Sequence, residues 1–451
     1  MRLYLLECKK IMTSRFHLIL LLLFMMLPMV IFQNRITDTG ENTNPYRHAD
    51  GSRMSKEEIQ EEVHHEKLKW TGTMDAAWWN RLKVAKKAAD KRIDTHFFNM
   101  EKMNALYGKD WYEDYQSNKR DYAYADDTKE AKKGKRILYL REEFLPNYKE
   151  DIADEVVSML YLNYGKTMLA DKPWNSEDGT FGTMYSSFNN EKVAAPVYSL
   201  DVSRAELQLL KDYMNEKKSF HYGDSREWFS LLETYSTVGI VLMVWVLVIS
   251  SNVVNRERKQ NMLEVLSSCS RGGSALFLSK LAAVITCALI GLLLMILPVT
   301  LYAWLSGNLG DMAVNITEGL HMISVFTYQE GFLISMEVLV LGAMVCAILG
   351  TLASTCLKSS YVSLGLCMLC MLAGTALSSY ASWMKLFPFK FMELTCVAVR
   401  GFTCNLFDQA FFLWKLLPLV WIPCSFLLCY ATLRIYRSRS CLLYTSDAAD
   451  D

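Results

Sequence analysis

A chain of 451 residues that is 51% hydrophobic, with 48 basic and 48 acidic side chains, has no net formal charge. That balance hides a segregation: residues 34–228 hold 31 Lys and Arg with 35 Asp and Glu, while the other 256 residues hold 17 and 13. This excludes a uniform soluble globule and points to a membrane protein with one large polar insertion. None of the twelve cysteines lies in 34–228, which excludes a disulfide-stapled external domain. Basic clusters at 81–92 and 129–136 are interleaved with acids, so nucleic-acid binding has no support.

Residues 1–15 (MRLYLLECKKIMTSR) are basic and amphipathic, and read as an interfacial helix leading into a first span at 16–34. A cleaved signal peptide is the competing reading. The apolar run is longer than an h-region and the following QNRITDTG lacks an A-x-A-like site, which favours an uncleaved anchor. Residues 35–228 form the polar insertion, in which helix signals dominate. Ser55 with Glu58 and Ser203 with Glu206 are capping boxes, and Leu207, Leu210 and Met214 repeat at helical spacing. Residues 151–169 read as an amphipathic helix, 135–144 as a strand, and the Gly- and Asn-rich 173–190 as a loop. Trp70, Trp78, Trp79, Trp111, Trp174 and Trp228 supply aromatic surface for a core.

Five further apolar runs follow, at 235–254, 281–304, 331–357, 359–384 and 411–433, each near the ~20 residues a spanning helix needs. The fold class expected is therefore an α-helical polytopic membrane protein. It has six transmembrane helices and a large, mainly helical extracytoplasmic insertion between helices 1 and 2. Basic residues before the first span, in 255–280, at Lys358 and at Arg434, Arg437 and Arg439 alternate with loops poor in them. That places both termini in the cytoplasm of a multi-pass protein of the cytoplasmic membrane. The external loop 385–410 reads either as a re-entrant or interfacial segment or as a plain amphipathic surface helix. Residues 441–451 (CLLYTSDAADD) resemble the translation of a sequencing adapter and are expected to be an artefact.

The loop 255–280 carries most of the functional information. Arg256, Arg258, Lys259, Arg271 and Lys280 make it basic, Glu257 and Glu264 sit one heptad apart, and Met262, Leu263, Val265 and Leu266 form an apolar edge. A short amphipathic helix between two spans is suited to docking a soluble partner. Elsewhere, Glu337 and Lys415 lie a similar depth inside spans four and six. They read as an ion pair, as the lining of an exit path, or as two side chains snorkelling to the interface. Gly342, Cys346, Gly350 and Ser354 recur every four residues, a stripe that allows close helix contact within one subunit or at a dimer seam. Cys367 and Cys370 make a CxxC inside an apolar run, where packing is the expected role, and Cys396 could pair with Cys404. His64, His65 and Glu66 adjoin on a charged helix, where neighbours point about 100° apart and make poor co-ligands. No HExxH, GxSxG or Cys/His metal spacing is present, and no metal site is expected.

A span, a loop holding Glu257, Glu264-x-Leu266 and Arg271, and a third helix opened by Lys280, behind a basic start ending Lys9-Lys10, resembles the ABC-2 type transporter permeases. The resemblance covers about half of the membrane part. It departs at Cys269 and Gly272-Gly273, where that family often has a proline and a single small residue. It implies the membrane subunit of an exporter, paired with itself or a second permease in the lipid bilayer and driven by a separate ABC ATPase subunit. Arg256, Glu257, Leu263, Glu264, Leu266 and Arg271 would then be the ATPase-coupling residues. The chain's own GK[ST] match, Gly165-Lys166-Thr167, has Leu160 where a phosphate loop needs its first glycine. No cofactor is expected in this chain, ATP being bound by the partner. The competing function is a non-transporting sensor or scaffold with an external binding domain.

Overall fold

The computed structural model describes residues 2–37, 46–48, 50–96, 100–109, 111, 147–148, 151–168, 220–223, 225–260, 262, 273–305, 309–318, 322–377, 382–388, 403–406 and 409–447, with isolated positions at 205, 209, 212, 392 and 394. The expected strand at 135–144 and loop at 173–190 lie outside the described residues, as does most of the expected helix at 203–218. The chain is mostly helical. Among the described residues, five helices are long and apolar enough to cross a membrane, a pattern consistent with an α-helical membrane protein. They belong to α2 (Arg15–Thr37), α7 (Arg226–Asn252), α9 (Ser274–Leu305), α10 (Tyr328–Cys356) and α12 (Leu413–Asp447). The run expected at 359–384 as the fifth span becomes α11, Ser360–Leu377, whose 18 residues extend about 27 Å.

Helix bounds exceed the apolar runs because charges at helix ends are paired. α7 begins nine residues before the uncharged stretch at Tyr235, and its Glu233 is bonded to Arg35 at 2.5 Å. α10 starts at a capping box in which Thr327 Oγ1 accepts from the Glu330 N–H and the Glu330 carboxylate accepts from the Thr327 N–H. α12 starts at Leu413 because Gln409–Phe412 is spent on a hairpin strand (β8) paired with β7, Thr403–Leu406. A second hairpin, β5 (Asn315–Glu318) with β6 (Met322–Thr327), links α9 to α10, and Phe326 contacts the rings of Phe412 and Trp414 across the two.

The bundle is centred on α7. Of its apolar window 72% is buried, against 17% for α2 and for α12, which are peripheral. Close approach is set by small residues. A Cβ on Gly350 of α10 would overlap Ser250 of α7, and one on Gly291 of α9 would overlap the Trp245 ring. The stripe Gly342, Cys346, Gly350 and Ser354 is buried on α10, the helix that packs most extensively on α7, so it serves contact within the chain. Midway along α7, a Cβ on Gly239 would lie 2.7 Å from the Met392 carbonyl. The 385–410 segment therefore enters the bundle at Met392 and Leu394, both fully buried. The turn Ser382–Leu386 is held there by Trp421, whose Nε1 donates to the Leu386 carbonyl at 2.6 Å. Large side chains such as Leu419 and Phe426, both 73% exposed, face outward from α12, a surface suited to acyl chains rather than water.

The polar insertion is built on α3 (Lys56–Leu68), α4 (Ala76–His96), α5 (Met100–Tyr107) and α6 (Asp151–Met168). Ser55 and Glu58 form the expected capping box. Trp79 of α4 stacks on Tyr161 of α6 at 5.4 Å, and Arg92 makes a two-pronged contact with the buried Asp154 at 2.5 and 2.9 Å. Two short ladders tie its ends: β1 (Tyr46–Arg47) runs parallel to β3 (Asn147–Tyr148), and β2 (Gly72–Thr73) antiparallel to β4 (His221–Tyr222). Gly72 has φ +145°, which a side chain would strain. The His221 N–H donates to Asn315 Oδ1 at 3.0 Å, so the insertion is anchored to the β5–β6 hairpin.

If Gly291 sets the α7–α9 spacing, Gly291→Ala should cost about 1–3 kcal/mol by overpacking. Gly365→Ala on α11, where a Cβ meets open space, should be neutral or stabilising. Thermal unfolding of both variants in detergent checks this; equal Tm values would contradict the packing argument.

Candidate functional site

At the basic end of the bundle, three separate elements bring four charges together. α1 (Arg2–Met12) lies along α9, its Tyr4 hydroxyl donating to Thr286 Oγ1 at 2.8 Å. Its Glu7 is buried and its Lys10 is half-buried. α8 (Asn255–Lys259) is a single turn after α7 that buries Asn255 and Glu257. α9 contributes Lys280, which has no exposed side-chain surface. Lys280 Nζ donates to Glu257 Oε1 and, at 3.2 Å, to Glu7 Oε1. Lys10 Nζ donates to the same Glu257 oxygen at 2.9 Å and lies 3.8 Å from Glu7. Two ammonium groups and two carboxylates thus sum to zero charge, the condition under which buried ions are tolerated. The second oxygen, Glu257 Oε2, is buried and accepts no hydrogen bond among the described residues. An apolar wall of Val254, Phe277, Leu281, Ile348 and Tyr436 flanks the cluster, the Phe277 and Tyr436 rings lying 5.3 Å apart.

A second network holds α8 from the other side. The Val254 and Asn255 N–H groups donate to Ser354 Oγ at 3.3 and 3.4 Å, and that hydroxyl donates to the Ser251 carbonyl at 3.0 Å. Asn255 Nδ2 donates to the Ser251 carbonyl and to Ser363 Oγ of α11. Arg258 reaches the last carbonyls of α10, donating to Leu357 at 2.6 Å and Thr355 at 3.4 Å, and also to Asn255 Oδ1. Those carbonyls lack helical partners, and a cation suits that helix end. The turn after α7 is thereby bonded to α1, α9, α10 and α11.

Of the residues expected to couple to an ATPase, Glu257 sits at the centre of this cluster and Arg256 is exposed beside it. Leu263, Glu264, Leu266 and Arg271 lie outside the described residues, and only Met262 of the apolar edge is described, 45% exposed. Lys280, expected at the end of a loop, stands inside α9 because that helix already begins at Ser274. Glu337 and Lys415 are not brought together: both are exposed, and Lys415 lies over the rings of Phe412 and Trp414. Cys396 is outside the described residues. Gly165-Lys166-Thr167 falls within α6, where no phosphate-cradling loop exists. On α3, Glu62, His65 and Glu66 converge within 4.8 Å at the surface, a grouping by helical turns that the adjacency of His64 and His65 conceals. Glu66 there is already bonded to Lys69 at 2.5 Å.

Sequence reasoning missed Glu7, Asn255 and the bonding role of Ser354. The signal for Glu7 was an acid three residues before Lys10 in an otherwise apolar and basic helix, and for Ser354 a hydroxyl closing a stripe of small residues. No protein-family profile, curated protein or solved structure matches this chain.

Removing one member of the buried cluster should leave one uncompensated charge among the three that remain. Glu257→Gln or Lys280→Met alone should cost about 3–5 kcal/mol. The double variant should recover much of that loss, a coupling that a thermal-unfolding double-mutant cycle measures. Additive losses would mean that the two groups do not depend on each other.

Proposed function

We propose that the chain is the transmembrane permease subunit of an ABC-2 type exporter. It moves a substrate across the cytoplasmic membrane with ATP bound and hydrolysed by a separate ATPase subunit. The observation that carries this reading is Glu257: a buried carboxylate on a single-turn helix between two membrane-length helices, bonded to Lys280 and to the amphipathic first helix. These are residues through which the sequence resembles that family. The basic side chains at this end, Lys9, Lys10, Arg256, Arg258, Lys259, Lys358, Arg434 and Arg437, fit a cytoplasmic face, with 35–228 outside.

Mechanically, α8 is suited to transmit force. Displacing it without breaking buried ion pairs requires the ends of α1 and α9 to follow, and Asn255 and Arg258 draw α10 and α11 along. A motor docked on the apolar edge that the sequence gives at Met262, Leu263 and Leu266 would act through this clamp to tilt the spans. The two subunits needed for a symmetric pathway would be a second copy or a similar permease.

The test is reconstitution with a separate ABC ATPase subunit, sought in the reading frames adjacent to this one. Leu263→Asp with Leu266→Asp should abolish stimulation of ATP hydrolysis and substrate export while leaving the protein folded. Unchanged transport in that variant would refute the docking assignment. Full function in the absence of any nucleotide-hydrolysing partner would favour the sensor or scaffold reading instead.

A further inference from the structure

Between the last two turns of α10, the middle of α11, the inserted Phe387-Pro388 and Trp421 of α12 lies a partly open cavity of about 450 Å³. Leu349, Cys356, Leu366 and Cys367 form its helical walls. Its contents are constrained by what the walls cannot do. The one strong donor among the lining side chains, Trp421 Nε1, is already given to the Leu386 carbonyl. Water would find too few polar partners to stay, and a polar solute would lose its hydrogen bonds on entry. Hydrocarbon asks for none.

One edge of the cavity is different. Leu357, which lines it, is followed by the exposed Lys358, and its carbonyl is held by Arg258. The Arg258 guanidinium thus stands with Lys358 at this edge. An apolar slot within the depth of the spans therefore opens beside a cationic rim at the basic end of the bundle. A bare hydrocarbon would have no use for that rim, whereas an anionic headgroup attached to one would. We propose that this cavity is a binding site for an anionic phospholipid, one acyl chain lying against Cys367 and Trp421 and the headgroup meeting Lys358 beside Arg258. The lipid fills the wedge between α10, α11 and α12, and its occupancy supports the seat of the inserted Phe387-Pro388 segment. This site does not depend on the exporter reading, since neither an ATPase nor a transported substrate enters the argument.

The full chain, purified in mild detergent, is incubated with phosphatidylglycerol or phosphatidylcholine of identical chains carrying a diazirine on one acyl chain. Bound lipid is counted by native mass spectrometry and crosslinks are mapped by peptide sequencing. The expected result is preferential retention of phosphatidylglycerol with crosslinks concentrated in 349–357, 366–370 and at Trp421. Cys367→Trp, which fills the slot, should reduce retention roughly tenfold or more. Lys358→Glu should remove the preference for the anionic lipid. Crosslinks spread equally over the outward Leu419 and Phe426, or equal retention of the two lipids by the unsubstituted protein, would overturn the proposal. The crosslink map of the unsubstituted chain decides the matter even if Cys367→Trp does not fold.

Discussion

The Lys280 ammonium, fully enclosed in an apolar bundle, is tolerable only beside a carboxylate, and Glu257 supplies it from a different helix. One pair would leave Glu7 buried without a cation. Lys10, from the same helix as Glu7, closes the account by touching both acids. Because the four groups come from α1, α8 and α9, the cluster is satisfied only when all three are in place together. Hydrophobic packing alone would accept many rotations of these helices. The charges accept one, since any other leaves an ion without its counter-ion.

The rest of the molecule is arranged around that end. Small residues let α9 and α10 close on α7, so the centre of the bundle is a tightly apposed trio. α2 and α12 form its outer surface. At the opposite end, polar contacts are looser and aromatic. Arg35 meets Glu233, Trp228 and Tyr235 pack on Phe332, and the two hairpins meet through Phe326. The insertion hangs from this aromatic end by His221 and Asn315. In the proposed exporter, force would enter where the bonding is charged and multiply connected. The polar insertion would face the other side, fastened to the spans by the Arg35–Glu233 ion pair and by neutral contacts.

The membrane-length helices were legible because hydrocarbon permits only long uninterrupted apolar runs, a constraint written directly in composition. The capping box at Ser55 and Glu58 was legible for a similar reason, being local and reciprocal within four residues. Helix ends were not, since α7 and α9 continue through charged or polar positions whose partners, such as Arg35 for Glu233, are remote in sequence. The family-like pattern of Glu257 and Lys280 marked two members of the buried cluster, but its other half, Glu7, sits about 250 residues away from α8 and no spacing rule reaches that far. Likewise, a stripe of four small residues announced a close contact without naming α7 as its partner.

By itself, then, the amino-acid order determined which segments must leave water, which end gathers the positive charge, and that a short charged turn separates two apolar helices. These are properties of single segments in a solvent, and each residue carries its own transfer energy. Tertiary structure alone decided that Lys280 is enclosed rather than a loop terminus, that Glu337 and Lys415 stand apart, and that Met392 lies against Gly239. Those outcomes depend on which helices touch, and contact between distant segments is a joint property that no local window contains.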